Sequence, residues 1–247
     1  MSRLIAFWSP AGAGASLLLL NTAAALGALS PGVVAADLNL PKPSLALSAD
    51  LLPHDRPQAA CLSRLLPLLE GGRLTPDDLQ ARMLQGPGFG LLPGVLDVVA
   101  ASRMTEGYIR RILHLLLGRH PLVLADLTPA LDSVACLPVL EMAERIVLVV
   151  GPEIASRFHT RRHVAPVKAL GLDRRMIAVL NRAGRTDHRQ VGADIDLPVA
   201  LTVPDLRWMG SFAEAGQIAY LAQPLLPALA RFRSAVERLA TQLLQEG

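Results

Sequence analysis

A glycine-rich loop follows a short apolar run near the start of the chain. Residues 8–16 have the sequence WSPAGAGAS, and residues 4–7 before them are all apolar. Glycines let a backbone approach a ligand closely, and the amides at the start of a helix attract phosphate. The loop therefore has the position and glycine content of a phosphate-binding loop, although it contains no lysine.

Three further apolar runs end in polar residues that could belong to the same site. Asp37 and Asn39 follow the second run, Asp126 ends a later one, and Asn181 and Arg182 follow another. In an open parallel sheet, ligands bind beyond the carboxyl ends of the strands. These four ends together predict one ligand-binding edge of a sheet.

Apolar runs that alternate with helical patterns indicate the architecture. Strands are predicted at residues 4–8, 33–36, 121–126, 145–150, 176–181 and 199–203, with a short one within 86–94. Helices are predicted at residues 16–29 (with Ser16 as N-cap), 58–70, 76–84, 106–117, 133–143 and 156–170, while 41–57 is irregular. Such alternation is typical of α/β proteins. We expect a single domain over residues 1–247, with a mostly parallel sheet and helices on both faces.

The hydrophobic content, net charge and cysteine count indicate a globular protein without a disulfide framework. Hydrophobic residues make up 51% of the 247 residues, enough for a large buried core. The net charge of +3 is too small to indicate a nucleic-acid partner by itself. Cys61 and Cys136 are far apart and lack the spacing of metal ligands, which suits a reducing cytoplasm.

No charged residue lies between Arg3 and Asp37. A secretory signal is one explanation, but Asn21, Thr22 and an early turn interrupt the apolar run. Its uninterrupted part is also too short to span a membrane. We therefore expect a buried first strand and helix, a cytoplasmic location, and no stable membrane insertion.

Five segments of the chain resemble the motifs of one family. The loop at residues 10–17 stands where that family has Lys-Gly-Gly-x-Gly-Lys-Thr-Thr, and the other segments are VVAADLNLPKPSLALSADL, PLVLADLTPALD, IAVLNRAG and LPVALTVPD. In this order they resemble the deviant-Walker P-loop ATPases, which include MinD and ParA. The resemblance is closest to the CpaE/TadZ-like proteins of Flp (tad) pilus assembly, and it implies the P-loop fold of that family.

The resemblance also implies a set of site residues. Those expected to bind nucleotide are Gly12, Ala13, Gly14, Ala15, Ser16, Leu17, Asn181 (at the adenine), Arg182 and Pro204 (beside the base). Those expected to hold Mg²⁺ are Ser16, Asp37 and Asp126.

Three positions depart from the family pattern. Ala15 stands at the Walker lysine, Pro10 at the second lysine, and Asn39 at the second acid of the switch I motif. A lysine supplies the cation that neutralises the β- and γ-phosphates, and an amide cannot carry the charge of an aspartate. Lysine occurs only at Lys42 and Lys168, so no shift in register restores it. We predict no catalytic residues and no useful ATP hydrolysis, with binding of ATP and Mg²⁺ weak or absent.

The leading functional hypothesis is a catalytically degenerate homologue that acts as a localisation or assembly scaffold. It would form a homodimer, bind proteins of a Flp-type pilus, secretion or positioning system, and lie in the cytoplasm, at a cell pole or at the inner membrane. One alternative is an active or partner-activated ATPase that places septum, chromosome or flagellum. Another is a Rossmann-type NAD(P)-dependent oxidoreductase, since Gly12, Gly14 and Asp37 partly imitate that site, although Leu17 takes the third glycine position.

Two further segments, one rich in basic residues and one at the C-terminal end with regularly spaced apolar residues, each allow two interpretations. Residues 157–189 carry nine basic side chains, which form either a solvated surface or a non-specific DNA site: Arg157, Arg161, Arg162, Lys168, Arg174, Arg175, Arg182, Arg185 and Arg189. Residues 224–247 predict an amphipathic helix that packs on its own domain or on a partner. Its heptad stripe consists of Leu225, Leu229, Phe232, Val236, Leu239 and Leu243.

Overall fold

The computed structural model describes residues 2–53, 61–206, 208–223 and 225–245. Its strands are β1 (Arg3–Trp8), β2 (Val33–Leu38), β3 (Leu84–Gln85), β4 (Gly90–Leu92), β5 (Leu122–Leu127), β6 (Arg145–Val150), β7 (Met176–Leu180) and β8 (Val199–Thr202). They form one sheet in the order β3-β4-β2-β5-β1-β6-β7-β8, with β3 antiparallel to β4 and every other pair parallel. The predicted fold class is confirmed.

Helices connect the strands. They are α1 (Ala15–Leu29), α2 (Leu45–Ser48), α3 (Leu66–Glu70), α4 (Pro76–Gln80), α5 (Val98–Ser102), α6 (Glu106–Leu117), α7 (Cys136–Met142), α8 (Ile154–Ala169), α9 (His188–Ile195), α10 (Met209–Glu214) and α11 (Pro227–Gln245). The helices α2, α5 and α9 were not predicted from the sequence. The helix predicted at 76–84 runs four residues beyond the end of α4, and the first residues of the helix predicted at 58–70 lie outside the described residues. The errors fall on short helices, where few residues report a period.

Alternate residues of β1 face two different cores. Leu4 and Trp8 pack with residues of α6, α7 and α8, whereas Ile5 and Phe7 pack with α1 and α11. Because helices cover both faces, the central strands are apolar on both sides and lack the alternation of a half-exposed strand. The expectation of helices on both faces is thereby met.

The helix α1 is buried along most of its length, which accounts for the charge-free stretch. Its two internal polar side chains are satisfied: Asn21 accepts a hydrogen bond from the Tyr220 amide (2.7 Å), and Thr22 donates to the Leu18 carbonyl (2.8 Å). The predicted N-cap was wrong. Gly14, with a φ of 91°, precedes the first helical residue, and Ser16 lies inside the helix. The loop needs a left-handed residue there, which glycine adopts most readily.

The helix α11 packs against α1 and β8. Leu229, Phe232, Val236, Leu239 and Leu243 are all buried, so the stripe belongs to the core of the domain. Leu225 lies before the helix and is 83% exposed. Residues 224, 246 and 247 of the predicted helix lie outside the described residues. Within the described part of the chain, no helix is both long and apolar enough to cross a membrane.

We expect Leu229→Ala to lower the free energy of unfolding by about 2 kcal/mol or more, because it leaves a cavity in the core. Leu225→Ala is the matched control: it removes the same atoms from an exposed site and is expected to have little effect. Urea denaturation of both variants checks this. Equal losses in the two variants would contradict the packing of α11.

Candidate ligand-binding site

The loop between β1 and α1 is braced by Ser9. The Ser9 hydroxyl donates to the Val149 carbonyl and accepts from the Ala13 amide, both at 2.7 Å. The Gly12 amide donates to the Ser9 carbonyl (3.1 Å). Gly12 and Gly14 have φ values of 66° and 91°, so both adopt the left-handed conformation. The loop curls into the helix and directs the first amides of α1 away from the helix body, as an anion site requires.

Asn181 joins the carboxyl end of β7 to this loop. Its side-chain amide donates to the Ala13 carbonyl (2.8 Å), and a Cβ added to Gly14 would lie 2.9 Å from its Nδ2. A side chain at position 14 would therefore collide with Asn181. The structure brings together the two segments that the sequence analysis assigned to phosphate and adenine.

A cavity of about 340 Å³ opens beside the loop. Seven of the nine predicted nucleotide-binding residues line it: Gly12, Ala13, Gly14, Leu17, Asn181, Arg182 and Pro204. The rest of the lining is mainly apolar: Leu18, Asp205, Leu206, Met209, Gly210 and Phe232. Its volume falls at the lower end of small-molecule sites, and an apolar wall with one amide suits a flat heterocycle. Ala15 and Ser16 do not line it.

Ser16 contacts the end of β5. Its hydroxyl donates to Oδ2 of Asp126 at 2.7 Å. The other oxygen of Asp126, Oδ1, is buried and has no hydrogen-bond partner. An unpartnered buried carboxylate oxygen is costly, so it marks a place where a cation or water would be favourable.

Asp37 lies beside Asp126, since the two are paired in the register of β2 and β5. Its carboxylate accepts hydrogen bonds from the amides of Ser44 (2.8 Å), Leu45 (2.9 Å) and Asn39 (3.3 Å). Asp37 therefore holds the start of α2 in place.

Burial raises the pKa of both carboxyl groups. The pKa of Asp37 rises to about 7, because the loss of solvent outweighs its three backbone hydrogen bonds. The pKa of Asp126 rises well above its ordinary value, first through burial and then through the charge of Asp37, while the hydroxyl of Ser16 opposes the rise. Two neighbouring buried carboxylates disfavour each other's charge, and a divalent cation would relieve this.

Two of the three residues predicted to hold Mg²⁺ are placed to bind a hydrated ion. The Ser16 hydroxyl and the free oxygen of Asp126 are the hard oxygen ligands that Mg²⁺ prefers, with water and phosphate completing the shell. Asp37 is engaged with backbone amides and would act from the second shell of ligands. No cluster of three or more His, Cys, Asp or Glu with metal-site geometry occurs among the described residues. Any Mg²⁺ here would depend on a phosphate for its remaining ligands.

The lysine positions of the loop hold buried, uncharged side chains. Ala15, the first residue of α1, is 6% exposed and belongs to the core, and Pro10 is buried. Lys168 lies on α8 and pairs with Asp196 at 2.6 Å. Lys42 does not line the cavity beside the loop. The third departure, Asn39, has a buried side-chain oxygen without a hydrogen-bond partner.

A second, more open cavity of about 510 Å³ lies on the other side of the loop. Its lining includes Pro10, Gly12, Pro129, Glu153 and Arg182. Glu153 was not predicted from the sequence. A signal was available, because Glu153 follows the carboxyl end of β6 and therefore lies at the same edge of the sheet as the other strand ends.

Several cations of the basic segment are paired. Arg157 pairs with Asp194, Lys168 with Asp196, and Arg175 donates to the carbonyls of Glu141 and Ala143. These contacts leave fewer unpaired positive charges on the surface of residues 157–189. The DNA interpretation remains a prediction.

The strand order identifies the fold. In a dinucleotide-binding sheet of order 3-2-1-4-5-6, the first two strands are neighbours. Here β5 lies between β1 and β2, so the glycine loop and Asp37 are separated by a strand. This order, with a glycine loop after β1, is that of the MinD/ParA P-loop ATPase fold. Nothing in the comparisons with known proteins supports the dehydrogenase alternative.

Solved structures with that fold match nearly the whole chain. A ParA-family ATPase from Chlorobium tepidum TLS is 20% identical, with a TM-score of 0.83 over 98% of both chains. MinD from Pyrococcus horikoshii OT3, complexed with Mg-ADP, is 21% identical, with a TM-score of 0.79 over 100% of this chain and 97% of that one. MinD from Pyrococcus furiosus is 22% identical, with a TM-score of 0.80 over both full chains. No family model and no curated protein matches this sequence. At these identities the likeness shows the fold.

Proposed function

We propose that this protein is a non-hydrolysing member of the MinD/ParA class that acts as a localisation or assembly scaffold. The observation that carries the proposal is the combination of a preserved loop and missing charge. Ser9, Gly12 and Gly14 keep the turn, whereas Ala15 and Pro10 are buried where two lysines belong.

The missing groups act on the same step. Loss of one electrostatic stabiliser of a transition state costs roughly 10²–10³ in rate. Here two lysines and the acid at Asn39 are absent together. Such losses are not additive, but all of them oppose phosphoryl transfer. The Ser16 and Asp126 pair still leaves a place for Mg²⁺ bound with a phosphate.

Self-association has a candidate surface beside the second cavity. Ile154 and Phe158, one turn apart on α8, are 78% and 63% exposed. Their sequence neighbours Glu153, Ala155 and His159 line the second cavity. Exposed large apolar side chains in one place favour an interface, so we assign this face to a homodimer. The resemblance to CpaE/TadZ-like proteins supports a Flp pilus or secretion apparatus as the partner system.

We expect ATP turnover at least about 10²-fold below that of MinD from Pyrococcus furiosus assayed in parallel. We also expect the same molar mass in light scattering with and without ATP and Mg²⁺, because self-association does not depend on bound nucleotide. Turnover equal to that of MinD, or a dimer that forms only with ATP, would refute the proposal.

A charge at the dimer face provides a separate test of the surface. Phe158→Glu is expected to yield monomers, because it buries a carboxylate between the two copies. Leu170→Glu is the matched control, since Leu170 is 56% exposed beyond the end of the same helix. If both variants remain dimeric in light scattering, the assigned surface is wrong.

A further inference from the structure

Arg182 lies between the two cavities of the loop. It lines both of them, as does Gly12. Among the described residues that line either cavity, it is the one lysine or arginine. The loop therefore lacks a cation in its sequence but has one beside it in space.

The backbone at Arg182 is held in place from both sides. Arg182 has a φ of 57°, a left-handed conformation that is uncommon for residues other than glycine. The Asn181 amide donates to the Val150 carbonyl (2.8 Å), and the Ala183 amide donates to the Val203 carbonyl (2.9 Å). Since the Asn181 side chain also bonds Ala13, the root of the arginine is tied to the glycine loop.

The guanidinium of Arg182 is paired with Glu153. Its Nη2 lies 3.1 Å from Oε1 and 3.4 Å from Oε2 of that carboxylate. The two side chains are 47% and 52% exposed, and exposed ion pairs of this kind contribute little to stability. A more highly charged anion at the loop would therefore compete well for the arginine.

We propose that Arg182 is the cation that neutralises the phosphate of a nucleotide at this loop, and that it leaves Glu153 when the nucleotide binds. The ligand is a phosphorylated nucleoside. Its base would lie against the apolar wall and Asn181, and its phosphate against the amides that follow Gly12. This inference rests on the proposed function, in which the loop keeps its shape but does not hydrolyse ATP.

Arginine suits this task because its planar fork donates two parallel hydrogen bonds to a phosphate. Glu153 has the opposite effect. It holds the arginine back in the free protein and repels an incoming phosphate, so the affinity is weaker than the arginine alone would give. Removing the charge of Glu153 should therefore strengthen binding, which a purely structural ion pair would not predict.

Calorimetric titration with ADP and with adenosine, each with Mg²⁺ present, tests the assignment. Three variants are compared: Arg182→Ala, Glu153→Gln and Arg185→Ala. Arg185 is the matched control, an exposed arginine of the same loop that lines neither cavity. Thermal melting of each variant verifies that it is folded.

We expect Arg182→Ala to raise the Kd for ADP roughly tenfold or more and to leave the Kd for adenosine unchanged, because only ADP carries the charge that arginine contacts. Glu153→Gln is expected to lower the Kd for ADP several-fold. Arg185→Ala should match the unmodified protein with both ligands.

The inference is overturned if Arg182→Ala binds ADP normally, if Glu153→Gln binds it more weakly, or if the unmodified protein does not bind ADP at millimolar concentration. These outcomes leave the proposed function standing, because a scaffold needs no nucleotide. Conversely, steady ATP turnover would refute the proposed function without deciding the role of Arg182.

Discussion

Replacing Ala15 by lysine is expected to strengthen the binding of ADP and Mg²⁺ roughly 10- to 100-fold, the value of one new charge-assisted contact to phosphate. The loop already has the required turn, since Gly12 and Gly14 adopt left-handed conformations and Ser9 braces them. The substitution therefore adds a charge to an existing cradle. Calorimetric titration of ADP measures the gain.

Hydrolysis should not return with this single change. Pro10 and Asn39 would still stand in place of a second lysine and an acid. We therefore expect tighter binding without turnover, which separates the two functions of the lost residues. A variant that also carries Pro10→Lys and Asn39→Asp would show how much turnover the remaining scaffold can support.

The control for this prediction is Ala15→Met. Methionine has nearly the length of lysine but no charge, so it reports the cost of a longer side chain at a site only 6% exposed. If Ala15→Met binds ADP as well as Ala15→Lys, or if neither exceeds the unmodified protein while both are folded, the missing charge is not what limits binding.

The buried carboxyl group of Asp37 is expected to make the protein less stable as the pH rises from about 4 to 7. Burial raises the pKa of this group to about 7 from an ordinary value of 3.8. The folded state then binds more protons than the unfolded state in that interval, and the free energy of unfolding falls with pH. At about 1.4 kcal/mol per pKa unit, the loss is on the order of 4 kcal/mol.

Asp37→Asn should remove most of this dependence. The amide oxygen can still accept from the backbone at Ser44 and Leu45, but the side chain no longer ionises. We expect the variant to be more stable than the unmodified protein at pH 8 and to lose that advantage near pH 4. Urea denaturation across this range gives the difference between the two proteins, in which contributions from groups that do not interact with Asp37 cancel. Asp126 is the exception, because the charge of Asp37 contributes to its raised pKa.

The matched control is Asp132→Asn, since Asp132 is an exposed aspartate in the loop after β5. Its pH profile should follow that of the unmodified protein. If Asp37→Asn also follows that profile, the Asp37 carboxyl group titrates near its ordinary pKa in the folded state. Burial then does not raise its pKa as described.

The central elements of the fold were predictable because their sequences carry a strong local signal. β1, β5, β6 and β7 are short apolar runs bounded by turns, and α6 has a clear helical period with Thr105 as its N-cap. The N-cap of α1 was predicted two residues late, at Ser16 in place of Gly14, because serine is the commoner cap by type. There, close packing of Asn181 against Gly14 and the demand for a left-handed residue overrode the preference.

The site could be predicted in part for the same reason. Asp37, Asp126 and Asn181 each end an apolar run, and such ends meet at one edge of a parallel sheet. Glu153 has the same position after β6 but was missed because no family motif drew attention to it. Met209 and Phe232 were missed as cavity residues because their segments follow the sheet and carry no signal that they fold back over the loop.

The amino-acid sequence by itself determined what the loop lacks. No folding can supply a lysine to residues 8–16, so the charge deficit at Pro10 and Ala15 is a property of the chain alone. The tertiary structure decided which residues stand nearby instead. The placement of β5 between β1 and β2 sets Asp126 beside Asp37 and Ser16, and the adjacency of β6 and β7 sets Arg182 opposite Glu153. Arg182 and Glu153 are 29 residues apart along the chain, and Ser16 and Asp126 are 110 residues apart. Only the pairing of strands that are distant in sequence brings these residues together.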